Sequence, residues 1–419
     1  MSVLSRRELL STLIGRVPVG GQKTWAAEPG DRRAIAEIGL TSAGGTVATS
    51  SSGSDVLVVL LLYGGFDGLT AVPPIGDPHY ASLRPTIAVP ASEALQLDGL
   101  FGLHPALAPL MPWWASKQLA AVQAVAIPYP TLSHFQAQQD LGQAAPGTAL
   151  VSGWMNRALS ALGDADALAG VQVGNSVLTA SLSGPRPVTT LWEVGAFSLA
   201  GEEWDASLPS AIRSLYSDVA STTSATALDT LRACRDLAPL QAVTYSPANG
   251  ASYPSSGLGQ SLMGVAELIK ARVGVRMAAV EYGDWDFHAD LGSGAGGAMA
   301  AMLSDLGSCL AAFATDLGSE LARVTVVTLS EFGRRVAENG SAGADHGHGN
   351  AMLVLGGSVR GGKVYGTWPT LAPKALVLGD LVGTTDYRNV LAELLERRLG
   401  LSSLWRVFPR FTPHFLGLT

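Results

Sequence analysis

Five predominantly apolar runs recur along the chain, and each is long enough to form one buried β-strand. The runs are Val56–Leu62, Ala120–Ile127, Arg276–Tyr282, Arg323–Leu329 and Ala351–Leu355. A strand that is covered on both faces needs no alternation of polar and apolar residues, so these runs favour the interior of a parallel sheet. The intervening segments are long enough for helical crossovers between parallel strands. The sequence therefore predicts an α/β fold with a mostly parallel central sheet and helices on both faces.

Composition limits the classes of protein that this chain can represent. Of its 419 residues, 47% are hydrophobic and only 15% are charged, which allows a large core and excludes a disordered chain. The formal net charge of -7 argues against nucleic acid as a partner, because phosphate binding requires a basic patch. Cys234 and Cys309 form no Cys-x-x-Cys motif. They are interpreted either as one disulfide or as two buried thiols.

The N-terminal residues indicate export from the cytoplasm. Arg6 and Arg7 precede a short apolar segment, which predicts a twin-arginine signal over residues 1–27 and the export machinery as a partner. A basic start with no targeting role is the alternative. Residues 28–54 are rich in Ala, Gly, Ser and Thr, and we interpret them as a linker. The expected location is periplasmic or extracellular.

Residues 55–419 are predicted to form one main domain. Within it, residues at about 150–272 alternate helical stretches with Gly, Pro and Ser breaks, which indicates a helical insertion or cap that shapes specificity. No segment is predicted to span a membrane, since Val56–Leu62 is too short.

Polar side chains follow the predicted strands directly. They are Asp67, Ser133, Asp286, His288, Glu331 and Arg334. Open α/β sheets bind ligands at the carboxyl ends of their strands. We therefore expect these side chains to form a site at that edge of the sheet.

A divalent metal is the predicted cofactor. Residues 343–350 place one carboxylate and two imidazoles between glycines, and these side chains suit zinc, manganese or iron. A second Asp and His pair follows the third apolar run, in a chain with only 7 histidines. The candidate ligands are Asp67, Asp286, His288, Asp345, His346 and His348. A solvated loop is the alternative for an Asp-His pair taken alone.

The motifs together resemble a known group of proteins. They are Tyr63-Gly-Gly-Phe-Asp-Gly68, Ser133-His-Phe135, Trp285-Asp-Phe-His288, Ser330-Glu-Phe-Gly-Arg334 and Asp345-His346-Gly347. Their order resembles the alkaline phosphatase superfamily, and their local sequences look more closely like the domain-of-unknown-function 1501 family. The resemblance covers the chain from Asp55 to about Gly400 and implies an alkaline phosphatase-like fold.

The resemblance also implies roles for single residues. Asp67 would match the first metal ligand and Ser133 the nucleophile, while Asp345 and His346 would complete one metal site. A second site would use His288 with Asp286 or Asp284. The superfamily's last histidine has no counterpart at the usual position, and His348 is the candidate substitute.

The implied activity is that of an exported metal-dependent hydrolase acting on a phosphoester or related ester. In this interpretation Ser133 attacks, Arg334 binds the non-bridging oxygens, and Glu331 holds a water or orients Arg334. The alternatives are a helix cap for Ser133, an ion pair between Glu331 and Arg334, a turn residue for Asp67, and packing or capping for His134. A degenerate secreted binding protein, or a group transferase acting on an envelope glycan or lipid head group, remains an alternative to the hydrolase. The expected partner in catalysis is a small-molecule or envelope ester substrate.

Overall fold

The computed structural model describes residues 54–164, 166–202, 204–219, 221–294 and 296–419. The predicted twin-arginine signal over residues 1–27 lies outside the described residues. So does the predicted linker, except for its last residue.

The strands of the described chain belong mainly to one sheet. They are β1 (Val56–Leu61), β2 (Leu95–Gln96), β3 (Gly102–Leu103), β4 (Leu119–Ala126), β5 (Gly170–Val173), β6 (Thr189–Leu191), β7 (Met277–Glu281), β8 (Val324–Leu329), β9 (Asn350–Gly356), β10 (Val364–Tyr365) and β11 (Thr385–Asp386). The large sheet has the order β10-β4-β9-β8-β1-β7-β5-β6, with β11 also paired to β4, while β2 and β3 form a separate hairpin.

The sheet is largely parallel, as predicted. Strand β1 pairs in parallel with β7 on one side and β8 on the other. Strand β9 is the exception, since it runs antiparallel to both β4 and β8. The chain between β8 and β9 contains loops in place of a crossover helix. The start of β9 therefore lies at the same edge as the ends of the parallel strands.

Helices cover both faces of the sheet. The α-helices span Gly68–Ala71, Tyr80–Leu83, Met111–Ala115, His134–Gln143, Trp154–Leu162, Leu208–Tyr216, Thr222–Gln241, Gly257–Ala271, Ala298–Leu317 and Tyr387–Arg397. Shorter 3-10 helices span Pro105–Leu110, Ala167–Ala169, Val194–Ala196, Gly318–Arg323, Pro373–Ala375 and Leu404–Arg406.

Strand β1 shows why its sequence is continuously apolar. Val56, Val58 and Leu60 contribute to one core, which includes residues of the helices Gly257–Ala271 and Ala298–Leu317. Leu57, Val59 and Leu61 contribute to the opposite core, together with residues of Trp154–Leu162 and Tyr387–Arg397. Side chains alternate between the faces of a strand, so both faces must be apolar when both are covered.

The region at about 150–272 differs from a purely helical insertion. Besides helices it contains β5 and β6, and β5 pairs with β7 in the central sheet. Both strands are short, and their apolar stretches do not stand out from neighbouring helical patterns.

One helical stretch in the described chain, Ala298–Arg323, is long and apolar enough to cross a membrane. Its residues Leu303, Leu306 and Phe313 are fully buried against the sheet. This packing explains the apolar composition of the stretch, as expected for a core helix.

Candidate metal centre

Three loops meet where the parallel strands end and β9 begins. The loop after β7 carries Asp286 and His288, and the loop before β9 carries His346. The loop after β4 leads into the helix that begins at His134. Sheet topology thus brings together side chains that are far apart in the sequence.

Three imidazoles and one carboxylate converge at this edge. The Nε2 atom of His346 lies 3.0 Å from Nε2 of His134 and 3.0 Å from Nε2 of His288. Oδ1 of Asp286 lies 3.2 Å from Nε2 of His346 and 3.1 Å from Nε2 of His288. Oδ2 of Asp286 lies 3.5 Å from Nε2 of His134. We call His134, Asp286, His288 and His346 the histidine cluster.

In each imidazole of the cluster the other nitrogen, Nδ1, faces an oxygen acceptor. The acceptors are Oε1 of Glu331 at 2.8 Å from His134, Oδ1 of Asp345 at 2.9 Å from His288, and the Leu132 carbonyl oxygen at 2.7 Å from His346. A carbonyl or carboxylate oxygen only accepts, so each Nδ1 must carry the hydrogen. In the neutral tautomer each Nε2 then presents a lone pair to its neighbours. These contacts match the arrangement in which an outer acceptor orients a metal-binding histidine.

The donor set and its spacing fit a divalent cation. A tetrahedral site with metal–ligand bonds of about 2.0–2.2 Å separates neighbouring donor atoms by about 3.3 Å. The contacts between cluster members, 3.0 to 3.5 Å, bracket this value. The ligand atoms of His134, Asp286 and His346 all lie within 4.8 Å of one another, while His288 contacts Asp286 and His346 from outside this group of three. Three lone pairs and an anionic oxygen repel each other at such distances, and a cation between them removes the repulsion. Imidazole with carboxylate suits zinc, manganese or iron.

Glu331 is a fully buried acceptor behind the cluster. Besides the ring of His134, its carboxylate accepts hydrogen bonds from the Gly64 amide at 2.9 Å, Gln138 Nε2 at 3.1 Å and Ser330 Oγ at 3.2 Å. Because every partner is a donor, Glu331 acts as an acceptor-only carboxylate. It holds the helix His134–Gln143 and the loop after β1 at the edge of the sheet that carries the histidine cluster.

The carboxyl groups of Asp286 and Asp345 have lowered pKa values. Burial alone would raise the pKa of Asp286, but the hydrogen bond and the positive charge of the Arg334 guanidinium hold it below its ordinary value. The hydrogen bonds from His288 and Asn339 lower the pKa of Asp345. Both groups are therefore ionised at neutral pH, as a metal ligand and its supporting carboxylate require.

The Arg334 side chain is buried between the loops and holds them together. Its side chain is only 1% exposed, and its donors reach the carbonyl oxygens of Gly64, Gly65, Trp285 and Ala344. Its Nη2 also lies 2.5 Å from Oδ1 of Asp286. Each of its three guanidinium nitrogens donates to an acceptor within the protein and the side chain is buried, so the predicted role in binding non-bridging oxygens does not agree with this geometry. Residues 330–334 are not helical, and Glu331 and Arg334 form no ion pair with each other.

Two glycines allow the loops to approach this closely. Gly64 has φ +114°, and a Cβ there would lie 2.6 Å from the Trp285 nitrogen. A Cβ at Gly343 would lie 2.3 Å from the His288 carbonyl carbon. Any side chain at either position would push the loop after β7 away from its neighbours.

The structure separates the other predicted ligands from the histidine cluster. Asp67 accepts from Arg84, Thr70 and the Leu69 amide inside the core. His348 bonds through Nε2 to the Ile127 carbonyl oxygen at 2.9 Å. Asp345 contacts the cluster through Nδ1 of His288 at 2.9 Å, on the side of the ring away from His346.

Ser133 and Asp284 occupy exposed positions near these loops. Ser133 is the residue before the helix His134–Gln143, but its hydroxyl makes no capping hydrogen bond. Asp284, the alternative ligand, has φ +69° and is exposed, and it is not among the metal-ligand groups of the described residues.

His134 is the cluster member that sequence reasoning assigned to packing or capping. Its ring packs 4.8 Å from Phe332, while its two nitrogens join Glu331 to the cluster. The available signal was its position after the run Ala120–Ile127, at the edge already predicted to hold the site.

Comparison with known families agrees with the motifs. The model of the family described as protein of unknown function (DUF1501) matches residues 100–391, which is more than half of the chain. The matched residues include the whole histidine cluster. The chain matches none of the curated proteins with which it was compared. This chain belongs to the DUF1501 family.

Proposed function

We propose that this protein is an exported hydrolase that uses one divalent metal ion to cleave a phosphoester or related ester. The observation that carries the proposal is the approach of the His134, Asp286 and His346 ligand atoms to within 4.8 Å of one another, with His288 in contact with two of these residues and each ring oriented by an acceptor on its Nδ1.

The metal would supply Lewis-acid polarisation of the ester oxygen and would make a coordinated water more acidic. The residues of the chain would bind and orient. His134, His288 and His346 would bind the metal through Nε2. Asp286 would bind it through its carboxylate, whose Oδ1 faces His288 and His346 and whose Oδ2 faces His134. Glu331 and Asp345 would keep the rings in the tautomer that binds metal.

Charge at the site favours an ester with at most one negative charge. Arg334 is occupied by carbonyl oxygens and Asp286, and Arg335 is held by Asp380 and the Leu378 carbonyl oxygen. With both guanidinium groups engaged, the metal alone would balance the charge of the substrate. A phosphodiester or a carboxylic ester suits such a site better than a phosphomonoester dianion.

Ser133 is the proposed nucleophile. Its hydroxyl is exposed, has no capping role, and belongs to the residue directly before the ligand His134. The positive end of the helix His134–Gln143 would stabilise an incoming anion there. Attack by Ser133 Oγ would form a covalent ester with the enzyme and release the alcohol, and water would then hydrolyse that ester.

The finer fold assignment is part of the proposal. A mostly parallel sheet with its candidate site at the carboxyl edge supports an alkaline phosphatase-like architecture. One cluster in place of the superfamily's two metal sites would distinguish this chain from those enzymes. Arg6 and Arg7 support export.

The test compares three chromogenic substrates after reconstitution with zinc, manganese or iron. They are bis-p-nitrophenyl phosphate, p-nitrophenyl acetate and p-nitrophenyl phosphate. We expect turnover of the diester or the acetate, loss of turnover in His134→Ala, and retention of bound metal in an inactive Ser133→Ala variant. His414→Ala is the matched control, since His414 is exposed and lies outside the cluster.

Different outcomes bear on different parts of the proposal. Activity that persists in Ser133→Ala but not in His134→Ala would remove the serine nucleophile and leave the metal-dependent reaction. Stoichiometric metal without turnover of any ester would contradict the hydrolase. Preference for the phosphomonoester would overturn the argument from charge.

A further inference from the structure

A large cavity lies beside the loop that carries Asp286 and His288. Its volume is about 710 Å³, within the range that small-molecule sites occupy. Its wall includes the carboxyl end of β5, the helix Gly257–Ala271 and residues 282–284. The last of these segments leads directly from β7 into the histidine cluster. Much of the wall comes from the region at about 150–272, which the proposed reaction does not use.

The cavity wall carries one sign of charge. Four carboxylates line it, and no lysine or arginine lines it among the residues that the structure describes. The four are Glu193, Glu267, Glu281 and Asp284. A concave surface with low-dielectric walls and charges of one sign concentrates the opposite charge.

Two of these carboxylates are partly buried. Burial raises the pKa of Glu267, and the nearby Glu193 raises it further. Burial also raises the pKa of Glu281, although Asn175 donates a hydrogen bond to its Oε2 at 2.6 Å. Within the described part of the chain, Glu267 has neither a hydrogen-bond partner nor an ion-pair partner. The Glu267 carboxylate thus faces the cavity partly shielded from water, and a bound cation would supply the charge partner that the described residues do not.

Aromatic rings line the same cavity. Trp192, Tyr245 and Tyr282 belong to its wall, and Trp192 is 72% exposed. The ring of Tyr245 already has Lys270 Nζ 5.3 Å from its centroid, so Trp192 and Tyr282 are the rings assigned to a ligand. An exposed tryptophan ring beside carboxylates is energetically unfavourable if the cavity contains only water. It suits a cation with apolar substituents, because the face of the indole attracts such a group.

We propose that this cavity binds an organic cation with apolar substituents on nitrogen, the class that choline represents. The carboxylates would supply the charge complement, and the aromatic residues would contact the alkyl groups. Inorganic cations would gain only the first of these contributions. This inference does not rest on the metal site, since the cavity and the histidine cluster share no side chain.

The experiment measures binding of choline and of its neutral isostere, 3,3-dimethyl-1-butanol, to the full chain by calorimetry. Both titrations are repeated after the metal has been removed with a chelator. We expect choline to bind at least about tenfold more tightly than the isostere, since only the cation meets the carboxylates. Affinity should be the same with and without metal, which separates this inference from the proposed hydrolase.

Variants locate the site. Glu267→Gln and Trp192→Ala should each weaken choline binding by about fivefold or more. Glu193→Gln provides an exposed second carboxylate in case Glu267→Gln does not fold. Asp218→Asn is the matched control, because it removes one charge from an exposed position outside the cavity. Equal binding of choline and the isostere, no saturable binding of choline, or unchanged affinity in the cavity variants would overturn the proposal.

Discussion

Replacing Asp67 separates two roles that a carboxylate after the first strand could have. The sequence assigns Asp67 to a metal site, whereas the structure buries it against Arg84, with side-chain exposures of 2% and 0%. Arg84 Nη1 lies 2.5 Å from Oδ2 of Asp67, and Arg84 Nη2 lies 3.2 Å from Oδ1. Arg84 also donates to the carbonyl oxygens of Arg335 and Val336, so this pair ties the loop after β1 to the chain beyond Arg334.

The size of the effect follows from burial. Removing one partner of a buried ion pair leaves the other charge without compensation, at a cost of about 3–5 kcal/mol. Asp67→Ala also removes the cap on the Leu69 amide, a separate loss of about 1 kcal/mol. We expect the urea midpoint of Asp67→Ala to fall accordingly. The control Glu396→Ala removes the surface ion pair between Glu396 and Arg397 and should change the free energy of unfolding by less than about 0.5 kcal/mol.

A double variant tests whether the pair itself is responsible. Asp67→Ala combined with Arg84→Met should be less destabilised than the sum of the single variants, by about 1–3 kcal/mol. Metal content of folded Asp67→Ala should remain that of the wild type. Near-normal stability together with loss of bound metal would refute this reasoning and restore Asp67 as a ligand.

Three other predictions concern Glu331, Asp316 and the pair Arg6 and Arg7. Glu331→Gln should weaken metal binding by about 10–100-fold, because the acceptor for His134 Nδ1 loses its charge. Competition with a chromogenic chelator measures this affinity, and an unchanged value would remove Glu331 from the site. Burial alone would raise the pKa of Asp316, but Lys270 and other donors hold it below its ordinary value. Its stabilising effect is present above the unfolded-state pKa of about 3.9 and is lost as pH falls through the folded-state pKa. Urea midpoints should thus fall more steeply below about pH 4 in the wild type than in Asp316→Asn, and parallel profiles would contradict this assignment. Replacing both Arg6 and Arg7 with Lys should retain the precursor in the cytoplasm, as cell fractionation would show. Normal export of this variant would exclude a twin-arginine signal.

The edge that holds the candidate site was predictable because it follows from topology. Apolar runs located β1, β4, β7, β8 and β9, and the polar residues after four of them were expected to meet. The antiparallel direction of β9 has no signal in its apolar composition. It nevertheless preserves the prediction, since the residues before β9 reach the same edge as the residues after the parallel strands.

The role of each side chain was less predictable because it depends on which atoms face each other. A carboxylate after two glycines can bind a metal or a buried arginine, and nothing local to Asp67 identifies Arg84 as its partner. Arg334 illustrates the same limit, since a guanidinium at a strand end suits either an anion or several carbonyl oxygens. His134 was overlooked because the preceding Ser133 offered a familiar interpretation as a helix cap or nucleophile.

The number of metal ions bound by the histidine cluster tests the account most directly. Elemental analysis of purified protein, reconstituted separately with zinc, manganese and iron, should give about one ion per chain for the best of the three. His134→Ala and His346→Ala should each lose that ion, while the exposed His414→Ala control should keep it. Wild-type protein without metal under all three conditions, or stoichiometric metal in the His134 and His346 variants, would contradict the assignment of the cluster as a metal centre.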